Sequence, residues 1–574
     1  MKSGGNKRIV TTLLYMLVFM SLTARDNARW VNVMIGTGLS DAPTLWGNYG
    51  GTFPGATAPW GLIQLTPETS TRPEERGYYY HDDHILYFTC FDHNSGYPNG
   101  SSGTLKLIFN RGHVSSLGNE YKGREFEHRN EKALPGFYAV QFNDGDKAEM
   151  TAAPHSGIIR YITHSDSTTL YIVDHDSALR VRDNQTVFAK RKNAIMRFTV
   201  PFVSHCTYND TLQLFFSGQD TISIELMCSE QNLKASIRNG NAELCNGDFE
   251  SMRKANYQRW TKELACAEVE SENSNHITQF YTALYHAMLM PRNIADVGEE
   301  PRYAGFSAWD TFRTLHPLLT LLKPKCQSAI IRSIYQDYLR NGMLPEGPMT
   351  GHHIIAILLD SYMKGATDLD ISEIYDAASN SYKQYLINHG LESFEHEGYI
   401  DAQHANSVSI TTELAYDHWA MYMLAEQAGK HREARRWKKG ANNYRNLWDT
   451  STMFLLPRIG NDFLRHHGEL GYQESTKWTA TFFQPHNVND MVNLHGGKNF
   501  FAQRLVEGFE NGKIVFDNEP VLHYPTLFVW VDRPELALHY TRKIMERCYA
   551  NAPGGIPGND DFGSMSSWWA MAAL

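Results

Sequence analysis

Basic residues are scarcer than acidic ones in this chain, and they form no long run anywhere along it. The sequence carries 53 Lys and Arg against 63 Asp and Glu, which gives a formal net charge of −10. A nucleic-acid-binding protein needs a basic stripe or patch. The composition therefore argues against a nucleic-acid partner and is compatible with a neutral substrate and a bound cation.

Cysteine is also scarce, with 7 residues in 574. The odd number and the absence of closely spaced pairs argue against a disulfide framework and against a zinc knuckle. Buried free thiols are the favoured interpretation. A single disulfide remains open among Cys206, Cys228, Cys245 and Cys266.

Several catalytic motifs are missing. The chain has no His-Glu-x-x-His helix, no Gly-x-Ser-x-Gly elbow and no phosphate-binding Gly-rich loop. These absences weaken the protease, esterase and nucleotide-enzyme interpretations. The adjacent His352 and His353 point in different directions on any regular backbone, so they make a poor metal site.

Long apolar runs are absent apart from residues 9–20. That stretch is too short to span a bilayer well. It follows Lys2, Lys7 and Arg8 and ends in small residues up to Ala24. Residues 1–24 are therefore predicted to be a signal peptide. We expect an exported protein, periplasmic or extracellular, without a membrane span.

The rest of the chain divides into two halves with different periodicities, which predicts a multidomain α+β protein. Short β-branched and aromatic runs in residues 25–248 predict an antiparallel β-sandwich. Residues 249–275 read as a linker with a helix. About twelve helical segments in residues 276–574, among them 306–322, 371–386 and 534–549, predict an (α/α)6 barrel, with an irregular helical array as the alternative. The last ten residues form an apolar helix without a C-cap, so we expect a barrel that is incomplete at its C-terminus.

Two loops before predicted helices carry candidate catalytic carboxylates. Glu474 lies between Tyr472 and Trp478, and a carboxyl in a partly dry pocket there would hold its proton more tightly, as a general acid must. Capping of the next helix is the competing interpretation. Asp560 and Asp561 follow a loop with three glycines and a proline. Two carboxylates on opposite sides of a sugar form the acid and base of glycoside hydrolysis.

Two further segments suggest ligand binding. The oxygen donors Asp517, Asn518 and Glu519 precede a helix and suit a hard cation such as calcium. Trp309 can stack on a sugar face and Asp310 can hold two hydroxyls, although a core Trp with an Asp310–Arg313 helical pair explains the same residues.

Taken in order, the motifs of this chain resemble glycoside hydrolase family 92, the calcium-dependent exo-acting α-mannosidases. The resemblance spans nearly all of residues 31–574. It is carried by Thr52-Phe53-Pro54-Gly55-Ala56, Pro59-Trp60-Gly61, Leu134-Pro135-Gly136, Phe280-Tyr281-Thr282-Ala283-Leu284-Tyr285-His286, Trp309-Asp310-Thr311-Phe312-Arg313, Ser407-Val408-Ser409, Glu474 with Trp478, Pro485-His486, Asn518-Glu519-Pro520 and residues 559–563.

The resemblance implies an exo-acting α-mannosidase that removes terminal α-linked mannose from glycans by inversion. It implies Glu474 as general acid and Asp561 as general base, with Asp560 beside it. The predicted substrate-binding residues are Trp309, Asp310, Arg313, Trp478, His486 and Glu413. The predicted calcium-binding residues are Glu519, Asn518 and Asn487.

The chain departs from the family pattern around these residues, for example at Ser475-Thr476, Thr479-Ala480, Asn487 and Cys90–Gly96. Asn518 stands where members that cleave α-1,2 links are expected to carry His, which favours another linkage. Two alternatives remain open: a glycan-binding protein on an inactive hydrolase scaffold, and another (α/α)6 carbohydrate hydrolase or lyase.

Overall fold

The structure, a computed structural model, describes residues 25–72, 76–97, 102–114, 121–175, 178–466 and 468–574. The predicted signal peptide, residues 1–24, lies outside these ranges. Among the helices of the described residues, none combines the length and the apolar character needed to cross a bilayer. All seven cysteines are described and are unpaired.

Alternating apolar residues in the first half of the chain form short strands that face a common core. The strands are β1 (Ala56–Thr57), β2 (Gln64–Glu68), β3 (His84–Ile85), β4 (Tyr87–Thr89), β5 (Lys106–Arg111), β6 (Arg124–Leu134), β7 (Phe137–Phe142), β8 (Lys147–Ala152), β9 (Ser156–Ile162), β10 (Ser167–Val173), β11 (Leu179–Asp183), β12 (Thr186–Ala189), β13 (Ala194–Phe198), β14 (Ser204–Tyr208), β15 (Thr211–Ser217) and β16 (Thr221–Met227).

These strands build two antiparallel sheets. Within the described ranges, one sheet has 7 strands in the order β1-β2-β4-β5-β10-β15-β14, and the other has 9 in the order β11-β12-β13-β16-β9-β8-β7-β6-β3. In the first sheet, Leu170 pairs with Leu214 on one side and with Phe109 on the other. Phe109 stacks at 4.4 Å on Tyr161 of the second sheet. One apolar core joins the two sheets, so the predicted β-sandwich is confirmed.

Two helices connect the sandwich to the second half of the chain. They are α1 (Leu233–Glu243) and α2 (Phe249–Leu264). Asp248 caps α2, because its side chain accepts a hydrogen bond from the Ser251 amide. The fully buried Trp260 donates its indole N–H to the Thr57 carbonyl at 2.9 Å. This bond fixes α2 against the first strand of the sandwich.

Helical segments of alternating burial make up the rest of the chain. They are α3 (Ser274–His286), α4 (Ala308–Thr311), α5 (Leu315–Leu322), α6 (Pro324–Asn341), α7 (Ile354–Met363), α8 (Ile371–His389), α9 (Ser393–Glu397), α10 (Ser407–Gln427), α11 (His431–Gly440), α12 (Lys477–Thr481), α13 (Val488–Leu494), α14 (Lys498–Glu510), α15 (Tyr524–Leu527), α16 (Pro534–Cys548) and α17 (Ser564–Ala573). Two-residue strands form three small hairpins between them: β17 (Arg292–Asn293) with β18 (Tyr303–Ala304), β19 (Trp448–Asp449) with β20 (Phe454–Leu455), and β21 (Arg458–Ile459) with β22 (Asp462–Phe463).

The burial pattern separates inner from outer helices. Helices α7, α10 and α17 are buried on most sides, whereas α16 buries only Tyr540 and Ile544 fully. Helix α17 packs against both α3 and α5, which closes the ring of helices. The predicted architecture, a β-sandwich followed by a helical barrel, is confirmed. The sandwich contacts the start of α4 through the Tyr97–Asp310 hydrogen bond and the loop before α17 through the bond from the Phe562 amide to the Ser95 carbonyl.

Candidate active site

Three buried carboxylates from distant parts of the sequence meet in one small volume. Asp310 lies in α4, Glu519 opens the short 3-10 turn Glu519–Val521, and Asp561 lies three residues before α17. Their relative exposures are 1%, 0% and 8%. One carboxylate oxygen from each lies within 4.8 Å of the others. The fold thus brings together carboxylates that are up to 251 positions apart in the sequence, from Asp310 to Asp561.

Burial and mutual repulsion make these carboxyls hold protons tightly. Desolvation and the nearby Glu474 carboxylate outweigh the hydrogen bonds from Ser307 and Tyr97, and together they raise the pKa of Asp310 to about 6. Burial, together with the charges of neighbouring carboxylates, raises the pKa values of Glu519 and Asp561 well above their ordinary range. Three buried carboxyls in one small volume either keep protons or need a cation.

The surroundings of Glu519 favour a cation. Both of its carboxylate oxygens are buried and accept no hydrogen bond, although buried polar atoms are nearly always paired. Calcium binds six to eight oxygen ligands and prefers carboxylates. The residues Asp310, Glu519 and Asp561 therefore fit a calcium ion.

Glu474 lies beside this group on a strained turn. Its backbone φ is 43°, a left-handed value that costs a non-glycine residue on the order of 1–3 kcal/mol and is concentrated at functional sites. The Asn518 side chain donates an N–H to Glu474 Oε2 at 2.8 Å. The strained backbone and the hydrogen bond from Asn518 together orient the Glu474 carboxyl.

The loop before α17 directs the two adjacent aspartates in different directions. Asp560 is fully buried, and its Oδ1 accepts hydrogen bonds from the Ser566 amide at 2.9 Å and the Ser566 hydroxyl at 2.6 Å. Its Oδ2 lies 3.5 Å from His286 Nδ1. Asp561, whose backbone φ is 40°, instead places its carboxylate beside those of Asp310 and Glu519. The structure thus gives Asp560 a supporting position and Asp561 a position in the cluster.

Close backbone packing explains the glycines around Asp561. Gly558 has φ +86°, and a Cβ there would overlap the Asp517 carbonyl. Gly96, a sandwich-domain residue with φ +91°, lies so close to the Asp560–Asp561 backbone that a Cβ would overlap it. The Phe562 amide donates to the Ser95 carbonyl at 2.9 Å. The sandwich domain therefore helps to hold the aspartate loop in place.

Tyr97 is a site residue that the sequence interpretation missed. Its hydroxyl donates to Asp310 Oδ2 at 2.7 Å and also contacts the Ser307 hydroxyl. Its ring meets Phe562 edge-on, with the centroids 4.8 Å apart. Burial, with the Asp310 and Asp561 charges, raises the pKa of Tyr97 far above its usual value, so the hydroxyl remains a donor. The only sequence signal was its position directly after the Cys90–Gly96 stretch.

Trp309 and Glu413 form a polar wall near the cluster. The Trp309 indole donates to Glu413 Oε1 at 2.8 Å. The other Glu413 oxygen is buried without a hydrogen-bond partner. The Arg313 guanidinium lies over the Trp309 ring at 5.2 Å from its centroid. A sugar hydroxyl could pair with the free Glu413 oxygen.

Four further residues predicted from sequence make contacts within the protein, and two of them are Trp478 and His486. Trp478 packs against Phe454 at 5.1 Å and beneath the Arg504 guanidinium. His486 Nε2 pairs with the Ala441 carbonyl at 2.8 Å.

The two asparagines predicted as calcium ligands also bond elsewhere. Asn487 donates to Asn442 at 3.1 Å, and Asn518 donates to Glu474. The structure therefore groups Glu519 with Asp310 and Asp561 rather than with the asparagines.

The fold and site together define a class of protein. A β-sandwich joined to a ring of paired helices places buried carboxylates at the domain boundary, and opposed carboxylates are the machinery of glycoside hydrolysis. The chain matches the glycosyl hydrolase family 92 N-terminal domain over residues 30–221 and the glycosyl hydrolase family 92 catalytic domain over residues 235–574. It belongs to this family and is a glycoside hydrolase.

Known proteins similar to this chain agree with that assignment. A family GH92 α-mannosidase from Bacteroides thetaiotaomicron is 25% identical, with a TM-score of 0.84 over 95% of this chain and 83% of its own. A family GH92 inverting mannosidase from the same organism is 21% identical and shares the fold, with a TM-score of 0.83 over 95% of this chain and 86% of its own. An uncharacterized secreted glycosidase from Arthroderma benhamiae is 22% identical over 96% of this chain and 82% of its own.

Proposed function

We propose that the protein is an exo-acting α-mannosidase that removes terminal α-linked mannose from glycans with inversion. The observation that carries the proposal is the meeting of Asp310, Glu519 and Asp561 within 4.8 Å, with Glu474 close enough to raise the pKa values of all three. The similar Bacteroides enzyme is an α-mannosidase, and a relative of this fold is described in complex with mannoimidazole.

In the proposed mechanism, Glu474 is the general acid and Asp561 the general base. Asn518 occupies Glu474 Oε2, so the proton on Oε1 is the one transferred to the departing oxygen. Asp561 takes a proton from water as that water attacks the anomeric carbon from the opposite face. Inversion by this route needs the two carboxyl groups about 6.5–9.5 Å apart. Asp560 supports the base through the loop that both residues share.

The wall formed by Trp309 and Glu413 is proposed to hold the terminal mannose. Asp310 and the unpaired oxygen of Glu413 accept hydrogen bonds from sugar hydroxyls, and Arg313 neutralises part of the local negative charge. His486 and Trp478 support the site through packing rather than by direct contact.

Asp310, Glu519 and Asp561 are the residues proposed to hold a calcium ion. When bound, the ion supplies positive charge that lowers the pKa values of these carboxyls and offers coordination positions to sugar hydroxyls. Asp561 must be ionised to accept a proton. Its raised pKa in the cation-free protein is therefore the physical reason for a metal requirement.

We also propose that the protein is exported, because the first 24 residues have signal-peptide character and the Arthroderma relative is named as secreted. Periplasmic and extracellular locations are both compatible with this proposal.

One experiment tests the activity, the stereochemistry and the metal together. The protein is incubated with α-1,2-, α-1,3-, α-1,4- and α-1,6-mannobiose in calcium or in EGTA, and the released anomer is followed by NMR. We expect β-mannose to appear first, from a linkage other than α-1,2, and to stop appearing in EGTA. Initial release of α-mannose would refute inversion, and full turnover in EGTA would refute the metal role.

A second candidate function is glycan binding without turnover. It is motivated by the departures from the family pattern at Ser475-Thr476 and Asn487. Binding of mannobiose without release of mannose, in the presence of calcium, would establish this second function. Cleavage of an α-glucoside or a uronate substrate, without release of mannose from α-mannosides, would indicate a different carbohydrate enzyme on this fold.

A further inference from the structure

The turn that carries Glu474 is attached to the start of the inner helix α10. The Gly471 carbonyl accepts hydrogen bonds from the Val408 amide at 2.8 Å and from the Ser409 amide at 3.2 Å. Both amides belong to the first turn of α10, where N–H groups have no partner within the helix. The segment that leads to Glu474 therefore supplies an acceptor that the start of the helix needs.

Two side chains at the start of α10 continue this attachment up to the residue before Glu474. The Gln473 amide donates to Ser409 Oγ at 2.9 Å, and Ser409 is buried. The Asn406 side chain donates an N–H to Gln473 Oε1 at 2.5 Å. With the two bonds to the Gly471 carbonyl, four hydrogen bonds fix residues 471–473 on the start of α10.

The segment after Glu474 is fixed by the start of another helix, α12. The Thr476 hydroxyl accepts hydrogen bonds from the Trp478 and Thr479 amides, and the Thr479 hydroxyl accepts one from the Thr476 amide in return. Glu474 lies between the two attachments with a backbone φ of 43°. A strained backbone persists only where the surrounding structure holds it in place. The bonds made by α10 and α12 hold the backbone on both sides of Glu474.

Helix α10 also carries a residue of the wall that is proposed to hold the terminal mannose. Glu413 comes four residues after Ser409 in the helix, so the two side chains lie on the same face, one turn apart. Glu413 accepts a hydrogen bond from the Trp309 indole at 2.8 Å. One helix that is buried on most sides therefore sets the position of the Glu474 turn relative to the wall.

We propose that Ser409 is a positioning residue for the general acid Glu474. This inference rests on the proposed function. Ser409 Oγ holds the backbone N–H of Gln473, one residue before the strained backbone of Glu474. Ser409 therefore acts on the direction of the Glu474 carboxyl through the main chain and not on the substrate.

The Ser409→Ala variant removes the acceptor of the Gln473 amide. The turn can then relax, and the Glu474 carboxyl loses its direction towards the departing oxygen. General acid catalysis contributes about 10²- to 10⁴-fold, and a displacement of about 1 Å costs up to about 10²-fold. We expect kcat for mannobiose to fall about 10- to 100-fold with KM nearly unchanged. For α-mannosyl fluoride, whose leaving group needs no proton, kcat should fall less than about twofold.

Two further variants separate positioning from a general loss of stability. Ser409→Thr keeps a hydroxyl acceptor and should retain most of the mannobiose activity. Ser381→Ala is the matched control, because the buried Ser381 hydroxyl likewise accepts a backbone amide, that of Leu344, at 2.9 Å. Ser381→Ala should lower the melting temperature about as much as Ser409→Ala does, and it should leave kcat unchanged for both substrates.

A double variant tests whether Ser409 acts through Glu474. In the Glu474→Gln background, Ser409→Ala should slow mannobiose hydrolysis no further, because the group that Ser409 positions is no longer an acid. A further loss of more than about twofold would show that Ser409 acts independently of Glu474 and would overturn the inference.

Asn406→Asp tests the same attachment if Ser409→Ala does not fold. Asn406 is half-buried and has a backbone φ of 60°, which Asp also tolerates. A carboxylate there cannot donate to Gln473 Oε1, so mannobiose hydrolysis should again fall more than fluoride hydrolysis. Equal losses on the two substrates, or no loss on either, would overturn the positioning role and leave the mannosidase intact. Failure of the wild type to release mannose from either substrate would overturn the proposed function itself.

Discussion

The hydrogen bond from Tyr97 to Asp310 is the contact with the most direct expected consequence. Tyr97→Phe removes only the hydroxyl and leaves the ring against Phe562. Asp310 Oδ2 then keeps a single donor, Ser307. The oxygen is buried, so the lost bond is not replaced by bulk water.

The size of the effect follows from the charge of the acceptor. A hydrogen bond to a charged group contributes about 1.5–3 kcal/mol. Because Ser307 shares the same oxygen, the lower end applies, and about 1.5 kcal/mol corresponds to roughly a tenfold change. Loss of a partner that orients a metal ligand typically costs about 10- to 100-fold in affinity. We expect calcium affinity and kcat/KM each to fall about tenfold.

The assay measures calcium affinity by competition with a chromophoric chelator, alongside kcat/KM for mannobiose and thermal unfolding. The Tyr97 bond lowers the pKa of Asp310, which is about 6 with the bond present. Its removal raises that pKa, so the affinity loss should be larger at pH 6 than at pH 8.

The matched control is Tyr171→Phe. That hydroxyl donates to the Val114 carbonyl at 2.8 Å within the sandwich, far from the carboxylates, and we expect unchanged calcium affinity. A lower melting temperature for Tyr97→Phe with unchanged calcium affinity would refute a positioning role and leave Tyr97 as a purely structural residue.

Three further predictions concern the acid and base, the metal and acid stability. Glu474→Gln should slow mannobiose hydrolysis by about 10²- to 10⁴-fold but mannosyl fluoride hydrolysis much less, because fluoride leaves without a proton. Asp561→Asn should slow the hydrolysis of both substrates. Equal effects of Glu474→Gln on the two substrates would contradict the assignment of Glu474 as the general acid. Calcium binding at pH 6 should release protons, because the raised pKa values of Asp310, Glu519 and Asp561 leave these carboxyls partly protonated without the ion. Titration calorimetry in buffers of different ionisation enthalpy measures the number of protons released. Binding heats that do not depend on the buffer would argue against these three carboxylates as the calcium site. Burial raises the pKa of Glu395, but hydrogen bonds from His418 and Arg436 outweigh it and hold the pKa at about 2, against 4.5 for a free Glu. A carboxylate whose pKa is lowered in the folded state stabilises the fold above pH 4.5, and this contribution is lost as the pH falls towards 2. Glu395→Gln should therefore lower the free energy of unfolding at pH 7 by about 1–2 kcal/mol after allowance for solvent screening, and it should make that free energy less dependent on pH below 4.5. An unchanged pH dependence would disprove the contribution of Glu395.

The helices and strands were largely predictable because they depend on local periodicity. The segment predicted near residues 371–386 is a helix over Ile371–His389, and the one near 534–549 is a helix over Pro534–Cys548. Broken helices were less predictable. The segment predicted over 306–322 splits into α4 and α5 at Phe312–Thr314, because tertiary packing sets the backbone where the site is built.

The candidate catalytic residues were recognisable from an ordered series of motifs, but their surroundings were not. Glu474 was expected beside the rings of Tyr472 and Trp478. The Tyr472 hydroxyl donates to the Leu455 carbonyl at 2.8 Å, and Trp478 packs against Phe454. Sequence neighbours on an irregular turn point in different directions, so adjacency gave no information about contact.

The sequence by itself determined the two-domain α+β organisation, the loops that carry carboxylates and the family. These follow from periodicity and from short motifs, which are local properties of the chain. Only the tertiary structure decided that Asp561 rather than Asp560 lies beside Asp310 and Glu519, that Asn518 donates to Glu474, and that Tyr97 donates to Asp310. The physical reason is that these contacts join residues hundreds of positions apart, and side-chain direction across a domain boundary is set by packing that no local pattern encodes.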